Sequence, residues 1–187
     1  MVGTRIEPAE PGRWADVVRA FGSRGSKPNS CWCQRFRDHD EATNEDALRR
    51  EIDQAAVPIG LLAYDDDSPV GWTSVVPRRT LPGVMCNRAI RRLLDDDDSA
   101  WWVTCLNVQR GSRGNGIGVA LLAAAVDHAR AHGASVVDGH PVDVAMSKNR
   151  PSPAALFTGT VSIFRAAGFQ EVGRTYVSRP IMRVELR

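Results

Sequence analysis

Between Arg113 and Gly118 the chain reads RGNGIG, with glycine at three alternate positions: Gly114, Gly116 and Gly118. An apolar, strand-like run precedes it and an alanine-rich run follows. A glycine turn between a strand and a helix leaves successive backbone N–H groups unpaired at the positive end of the helix dipole, where phosphate binds. Arg110 and Arg113 add guanidinium groups that can pair with phosphate oxygens. Asp138 and His140 stand two apart, on one face of an expected strand, where one can take a proton and the other orient it. Cys105 is open to two readings, a nucleophile or an inert buried thiol. The phenolic acids are Tyr64 and Tyr176.

Three other readings of the glycine turn are weighed against its surroundings. A P-loop needs Lys and Ser/Thr after its last glycine, but Val119 and Ala120 follow Gly118. A dinucleotide fingerprint wants a third glycine where Val119 stands. It also normally opens its fold, whereas several strand-like runs precede this turn. A plain turn without a ligand does not account for three glycines and two arginines crowded together.

The elements that must position these residues follow from periodicity. GTRIEP reads as a first strand, and GRWADVVRAFG as a helix with Trp14, Val17, Val18 and Phe21 on one side. NEDALRREIDQ is a second helix with Asn44 as N-cap. IGLLAY, VGWTSVVP and AWWVTCLNV are strands, the last leading into the glycine turn. The helix GVALLAAAVDHARAHG, the strand ASVVDGHP, an irregular stretch from Val142 to Gly159, a short helix TVSIFRAAG and the strands FQEVGRT and RPIMRVEL complete the chain. The order β-α-α-β-β-β-α-β-α-β-β predicts one α/β domain over residues 1–187, a mixed sheet covered by helices.

Composition narrows the partners. A net charge of +2, with basic residues scattered, gives no polyanion-binding face, so no nucleic acid is expected. No apolar run approaches the roughly 20 residues of a membrane helix, and the start of the chain has no secretory apolar core. The expectation is a cytoplasmic chain with reduced thiols and no membrane partner. A C-x-C pair with two distant single cysteines fits no zinc spacing, so no metal is expected.

Arg113 to Gly118 resembles motif A of the GCN5-related N-acetyltransferases (GNAT), Q/R-x-x-G-x-G/A. The run CLNVQRGS resembles that family's passage from its fourth strand into the pyrophosphate loop, and SIFRAAGF its later aromatic-x-x-x-Gly-Phe ending. CWCQRF, VTCLNV and the His140-Pro141 pair are similar to an actinobacterial branch of the family. The resemblance covers about Ala100 to Arg187 and implies a mostly antiparallel sheet splayed between strands four and five. It implies acetyl-CoA as co-substrate, with pyrophosphate on the N–H groups of Arg113, Gly114, Asn115, Gly116, Ile117, Gly118 and Val119. Leu106, Asn107 and Val108 would offer their backbone to the pantetheine arm, with oxyanion donors near Asn107 and Val108.

The implied reaction is direct acetyl transfer to an amine of a small molecule in a ternary complex. His140 and Asp138 are the candidates for the base. The position that often holds a tyrosine acid is Phe164, which has no proton to give, so Tyr176 is the candidate substitute. Cys31, Trp32, Cys33 and Phe36, together with Cys105, form a candidate acceptor lining, with a core hairpin as the alternative. Two other functions remain open at this point: a non-catalytic acyl-CoA-binding domain, and a protein or peptide acetyltransferase. Oligomeric state is not encoded legibly, and a homodimer is carried as an expectation.

Overall fold

The computed structural model describes residues 4–152 and 155–186. Gly3, at the head of the expected first strand, and residues 153 and 154 of the expected irregular stretch lie outside them. Seven strands form one sheet: β1 (Arg5–Pro8), β2 (Gly60–Asp65), β3 (Ser68–Pro77), β4 (Trp101–Val108), β5 (Val136–Gly139), β6 (Gln170–Tyr176) and β7 (Arg179–Glu185). Their spatial order is β1-β2-β3-β4-β5-β7-β6. Every pairing is antiparallel except β4 with β5.

The helices are α1 (Trp14–Phe21), α2 (Asn44–Gln54), the single turns α3 (Pro82–Met85) and α4 (Arg88–Arg91), α5 (Ile117–Ala131) and α6 (Val161–Ala166). In α5 the buried residues Ile117, Leu121, Leu122, Ala125, Val126 and Ala129 form a helical stripe against the sheet. They share one apolar cluster with Val103, Leu106, Val137 and Phe164. On the other face, α1 and α2 bury Val17, Phe21, Leu48 and Ile52 around Trp32 and Trp72. The cap of α2 is Thr43, whose hydroxyl accepts from the Asp46 N–H at 3.1 Å. The expected cap, Asn44, instead donates to the Ser30 carbonyl at 2.8 Å and pins the preceding loop.

Two local features open the sheet. The register of β3 against β4 shifts between the pairs Ser74↔Cys105 and Val75↔Val103, so Thr104 is an extra residue, a β-bulge. β5 follows β4 only from Trp101↔Val137 to Val103↔Gly139. The strand then ends because Pro141 has no N–H to give a ladder. Beyond Val103, one edge of β4 therefore has no strand partner among the described residues.

Candidate functional site

The open edge of β4 carries unpaired backbone. The Gln109 N–H donates to the Val70 carbonyl at 2.8 Å, which makes that pair hydrogen-bonded. Alternation along an antiparallel ladder then turns the N–H of Asn107 toward β3 and those of Leu106 and Val108 away from it. Of the donors expected near Asn107 and Val108, the Asn107 N–H is thus turned to β3, while those of Val108 and Leu106 face the open edge. The Asn107 side chain also faces inward: its Nδ2 donates to the Ala20 carbonyl at 2.7 Å and its Oδ1 accepts from Arg24. The Val108 carbonyl accepts from Arg113 Nε at 2.9 Å, which folds the glycine turn back onto the end of the strand.

In that turn Gly114 and Gly116 have φ of +86° and +78°, which side chains other than glycine rarely adopt. A Cβ at either would meet nothing within 4 Å, so the space above both is clear. Gly116 caps α5. Among the described residues, the N–H groups of Arg113, Gly114, Asn115, Gly116, Ile117 and Gly118 donate to no protein acceptor. Val119 does not belong to this row, because its N–H is spent on the Gly116 carbonyl at 3.0 Å. Gly118 is buried, and a Cβ there would touch Ile163 at an ordinary 3.5 Å, so its role is close packing. Arg110 is exposed and, among the described residues, forms no ion pair with an acid. The row of free donors, the clear space and two cations fit a pyrophosphate.

Phe164 is fully buried beside the splay, edge-on to Phe169 at 4.8 Å between ring centroids. A Cβ at Gly139 would lie 2.4 Å from Phe164 Cε1, and one at Gly159 would lie 3.0 Å from Cε2. The ring is a plug between the end of β5 and the turn at Ala155–Thr158, and packing is its role in the fold.

Asp138 does not meet the expectation placed on it. It is wholly buried, its Oδ2 accepting from Arg78 Nη1 at 2.7 Å and Arg183 Nη2 at 3.0 Å, its Oδ1 from Arg183 Nε at 2.7 Å. Both oxygens are committed, and none of their partners is His140. The strand ends at Gly139, so the alternation that would have joined Asp138 and His140 on one face stops between them.

His140 has a different set of neighbours. Its Nε2 lies 2.8 Å from Thr175 Oγ1, and that hydroxyl donates to the Arg179 carbonyl at 3.1 Å. The network therefore assigns the proton to Nε2 and leaves Nδ1 as an acceptor. Burial, then the charge of Arg179 and more weakly that of Arg35, bring the imidazole down to about 4. It is neutral at pH 7 and weakly basic. Arg179 Nη1 donates to the His140 carbonyl at 3.3 Å and to Thr158 Oγ1 at 3.0 Å, tying the chain after β5 to the turn beside β4. Tyr176 is 71% exposed at the end of β6, and its hydroxyl makes no hydrogen bond among the described residues.

The expected acceptor lining is mostly core. Trp32 and Cys33 lie in a tight turn with φ of +37° and +64°, not in a hairpin. Trp32 stacks on Phe21 at 4.5 Å, and Cys33 Sγ accepts from Trp72 Nε1 at 3.0 Å. Cys105 is buried in the same cluster. Burial pushes the Cys33 thiol well up, as contact with Cys105 does next, so it stays protonated and inert. Phe36 packs against Trp102 and Phe157, both at 6.4 Å, and Cys31 is half-buried. Arg35, Thr158, Thr175 and Arg179 had no signal in the sequence, since neither their type nor their spacing separates them from other threonines and arginines of the chain.

A cavity of about 600 Å³ is lined by Val18, Gly22, Pro69 and Gln109 among others, and its lining includes none of Arg110, residues 113–118, Asp138, His140 or Tyr176. The free donors and the splayed strand, not that hollow, mark the site. Among the described residues no three His, Cys, Asp or Glu side chains gather as a metal would need, and no helix is long and apolar enough to cross a membrane.

A family model described as the acetyltransferase (GNAT) family matches residues 27–154. No curated protein matches the chain in sequence. Among solved structures the chain is similar to yncA of Salmonella typhimurium, solved with its cofactor acetyl-CoA, at 14% identity and a TM-score of 0.60, covering 99% of this chain and 95% of that one. A GCN5-related N-acetyltransferase from Kribbella flavida gives 20% identity and a TM-score of 0.59, with 98% of each chain covered. The diaminobutyrate acetyltransferase EctA of Paenibacillus lautus, in complex with L-2,4-diaminobutyric acid and coenzyme A, gives 12% and 0.55, covering 99% and 96%.

Proposed function

The chain belongs to the acetyltransferase (GNAT) family, whose acetyl donor is acetyl-CoA, and on that premise we propose that it acetylates an amine of a small molecule by direct transfer in a ternary complex. The observation that carries this reading is the row of six unpaired N–H groups from Arg113 to Gly118, opening onto clear space at the head of α5. These donors and Arg110 would hold the pyrophosphate. The free N–H groups of Leu106 and Val108 would pair with the pantetheine arm and face the developing oxyanion. Bound acetyl-CoA supplies a thioester: the amine nitrogen bonds to its carbonyl carbon, the C–S bond breaks, and the amine proton ends on the thiol.

On the protein's side, the neutral His140 offers Nδ1 as a hydrogen-bond acceptor to orient an attacking amine. It is too weak a base to strip an ammonium ion, so the amine enters as the free base or yields its proton to water. A protein or peptide acceptor would call for an open acidic groove. The charged groups around His140 are instead Arg35 and Arg179, which favours a small acceptor.

Gly116→Val tests the reading. A β-branched residue at φ of +78° is strained, and its side chain fills the space above the free donors. Loss of about two charge-assisted hydrogen bonds should weaken coenzyme A binding about 100-fold by calorimetry, with the circular dichroism of the fold retained. Gly118→Ala, where a methyl has room, should change it little. Unchanged affinity in folded Gly116→Val would defeat the assignment.

A further inference from the structure

We propose that the acceptor amine also carries an anionic group, a carboxylate or a phosphate, and that Arg35 and Arg179 receive it. The inference rests on the acetyl-transfer reading above and narrows its acceptor. Half-buried Arg179 bonds only to neutral oxygens: those of His140 and Thr158 through Nη1, and the Ala155 carbonyl at 3.2 Å through Nη2. Of the five N–H donors of a guanidinium, these three bonds leave two without an acceptor among the described residues. Arg35 is exposed, its guanidinium 5.4 Å from the ring centroid of Phe157. Phe157 and Thr158 are chain neighbours, so the two cations flank one dipeptide. That dipeptide leads into Gly159, where a Cβ would lie 3.1 Å from Leu106 Cδ2, beside the open edge of β4.

Two acids on the His140 side are already taken. Asp143 pairs with Arg174 at 2.9 Å, and Asp138 holds Arg78 and Arg183. Three other buried or half-buried arginines have an acid: Arg37 has Glu51, and Arg78 and Arg183 share Asp138 and Asp95, whereas half-buried Arg24 bonds to the Asn107 amide oxygen. Arg179 and Arg35 have none among the described residues. An uncompensated pair of cations beside a reaction edge attracts an anion and, through bidentate hydrogen bonds, fixes its orientation. After burial, the charge of Arg179 and more weakly that of Arg35 lower the titration of His140, so both cations reach the imidazole. They also make an ammonium ion in the site more acidic, which raises the share of reactive free amine.

The test pairs amines that differ only in charge: an α-amino carboxylate against its carboxamide, and an aminoalkyl phosphate against the amino alcohol, with thiol release as the readout. The anionic member of each pair should have a KM roughly tenfold lower, the worth of one charge-assisted bond. Arg35→Ala and Arg179→Lys should each erase most of that preference. Arg35 is exposed, so its variant keeps the test alive if Arg179→Lys misfolds. A second readout needs no turnover: sodium sulfate titrated into the protein, with and without coenzyme A, should move the His140 imidazole NMR signals saturably, and fail to do so in Arg35→Ala. Neutral or cationic amines used as well as their anionic partners, or a His140 signal blind to sulfate, would overturn the inference. Coenzyme A calorimetry on the same samples separates the failures. Without coenzyme binding the acetyl-transfer reading falls; with it, and without anion preference, only the present inference does.

Discussion

The two halves of the proposed site are built from different materials. The coenzyme half is backbone: six consecutive residues from Arg113 to Gly118 present N–H groups whose direction depends on two glycine dihedrals. The acceptor half is side chain, drawn from separate segments: Arg35 after α1, His140 after β5, Thr158 in the turn beside β4, Thr175 on β6 and Arg179 at the start of β7. A backbone site can be written in a short stretch, because glycine spacing specifies where φ is positive. A side-chain site assembled by topology has no local spelling. It can also be re-tuned by single substitutions without disturbing the coenzyme cradle, and the following experiments press on that separation.

Asp138 should give the largest effect. Asp138→Asn leaves Arg78 and Arg183 facing a neutral amide in the interior, and Arg78 is itself 2% exposed. Breaking a buried ion pair by neutralising one partner typically costs about 3–5 kcal/mol, so urea denaturation should show a loss of that order. Coenzyme A affinity per folded molecule should hold, because no Asp138 contact reaches the glycine turn. The opposite pattern, near-native stability with turnover cut about 100-fold or more, would return Asp138 to the role of base and merge what the structure separates.

Asp138 also marks the limit of what the sequence makes legible. The order of the main elements, including the α5 helix, follows from the sequence pattern and is present in the structure, as is the turn marked by glycine spacing. Period-two alternation failed at β5 because the strand stops at Gly139, one residue before His140. The CWC stretch looked like strand because small and aromatic apolar residues alternate there. Its positive φ at Trp32 and Cys33 comes from tertiary packing against Phe21 and Trp72, which no local pattern reports. The bulge at Thr104, which opens the sheet, is equally silent, since it is a mismatch of register between two strands and not a property of either.

A smaller effect should appear in the pH dependence. His140 is held at about 4 by burial and by Arg179 and Arg35, with Thr175 on its other nitrogen, whereas an unfolded histidine titrates near 6.5. Between those values the unfolded chain binds the proton and the folded chain does not, so acidification from pH 6.5 to 4 lowers stability. His128, lowered by burial, adds to the slope in the same window. Asp95, lowered to about 2 by Arg183 and Arg78, contributes stability that is lost only as pH falls from about 4 toward 2. His140→Gln should flatten the upper window by less than about 1.4 kcal/mol per pH unit and leave the lower one unchanged. Arg35→Ala should shift the imidazole titration upward by NMR. A His140 that titrates at 6.5 in the native protein would mean that the two guanidiniums do not face it.

The smallest effect is expected at Tyr176. Sequence comparison with the family makes it the natural stand-in for the acid missing at Phe164. A proton donor must sit within hydrogen-bond reach of the departing sulfur, however, and Tyr176 is 71% exposed on the β6–β7 turn with no hydrogen bond to hold it. A phenol that does not reach the sulfur cannot deliver its proton there, whatever its acidity. Tyr176→Phe should therefore leave stability within about 0.5 kcal/mol and turnover within about threefold, against the 10²–10⁴ expected of a positioned acid. If Tyr176→Phe does lower turnover in that larger range, the β6–β7 turn must fold over the splay when acceptor and coenzyme are bound. Tyr176 would then join Arg179, three residues along the same hairpin, in an acceptor half that completes itself only around its substrate. A neutral outcome assigns the proton to water, and the acceptor half reduces to binding and orientation.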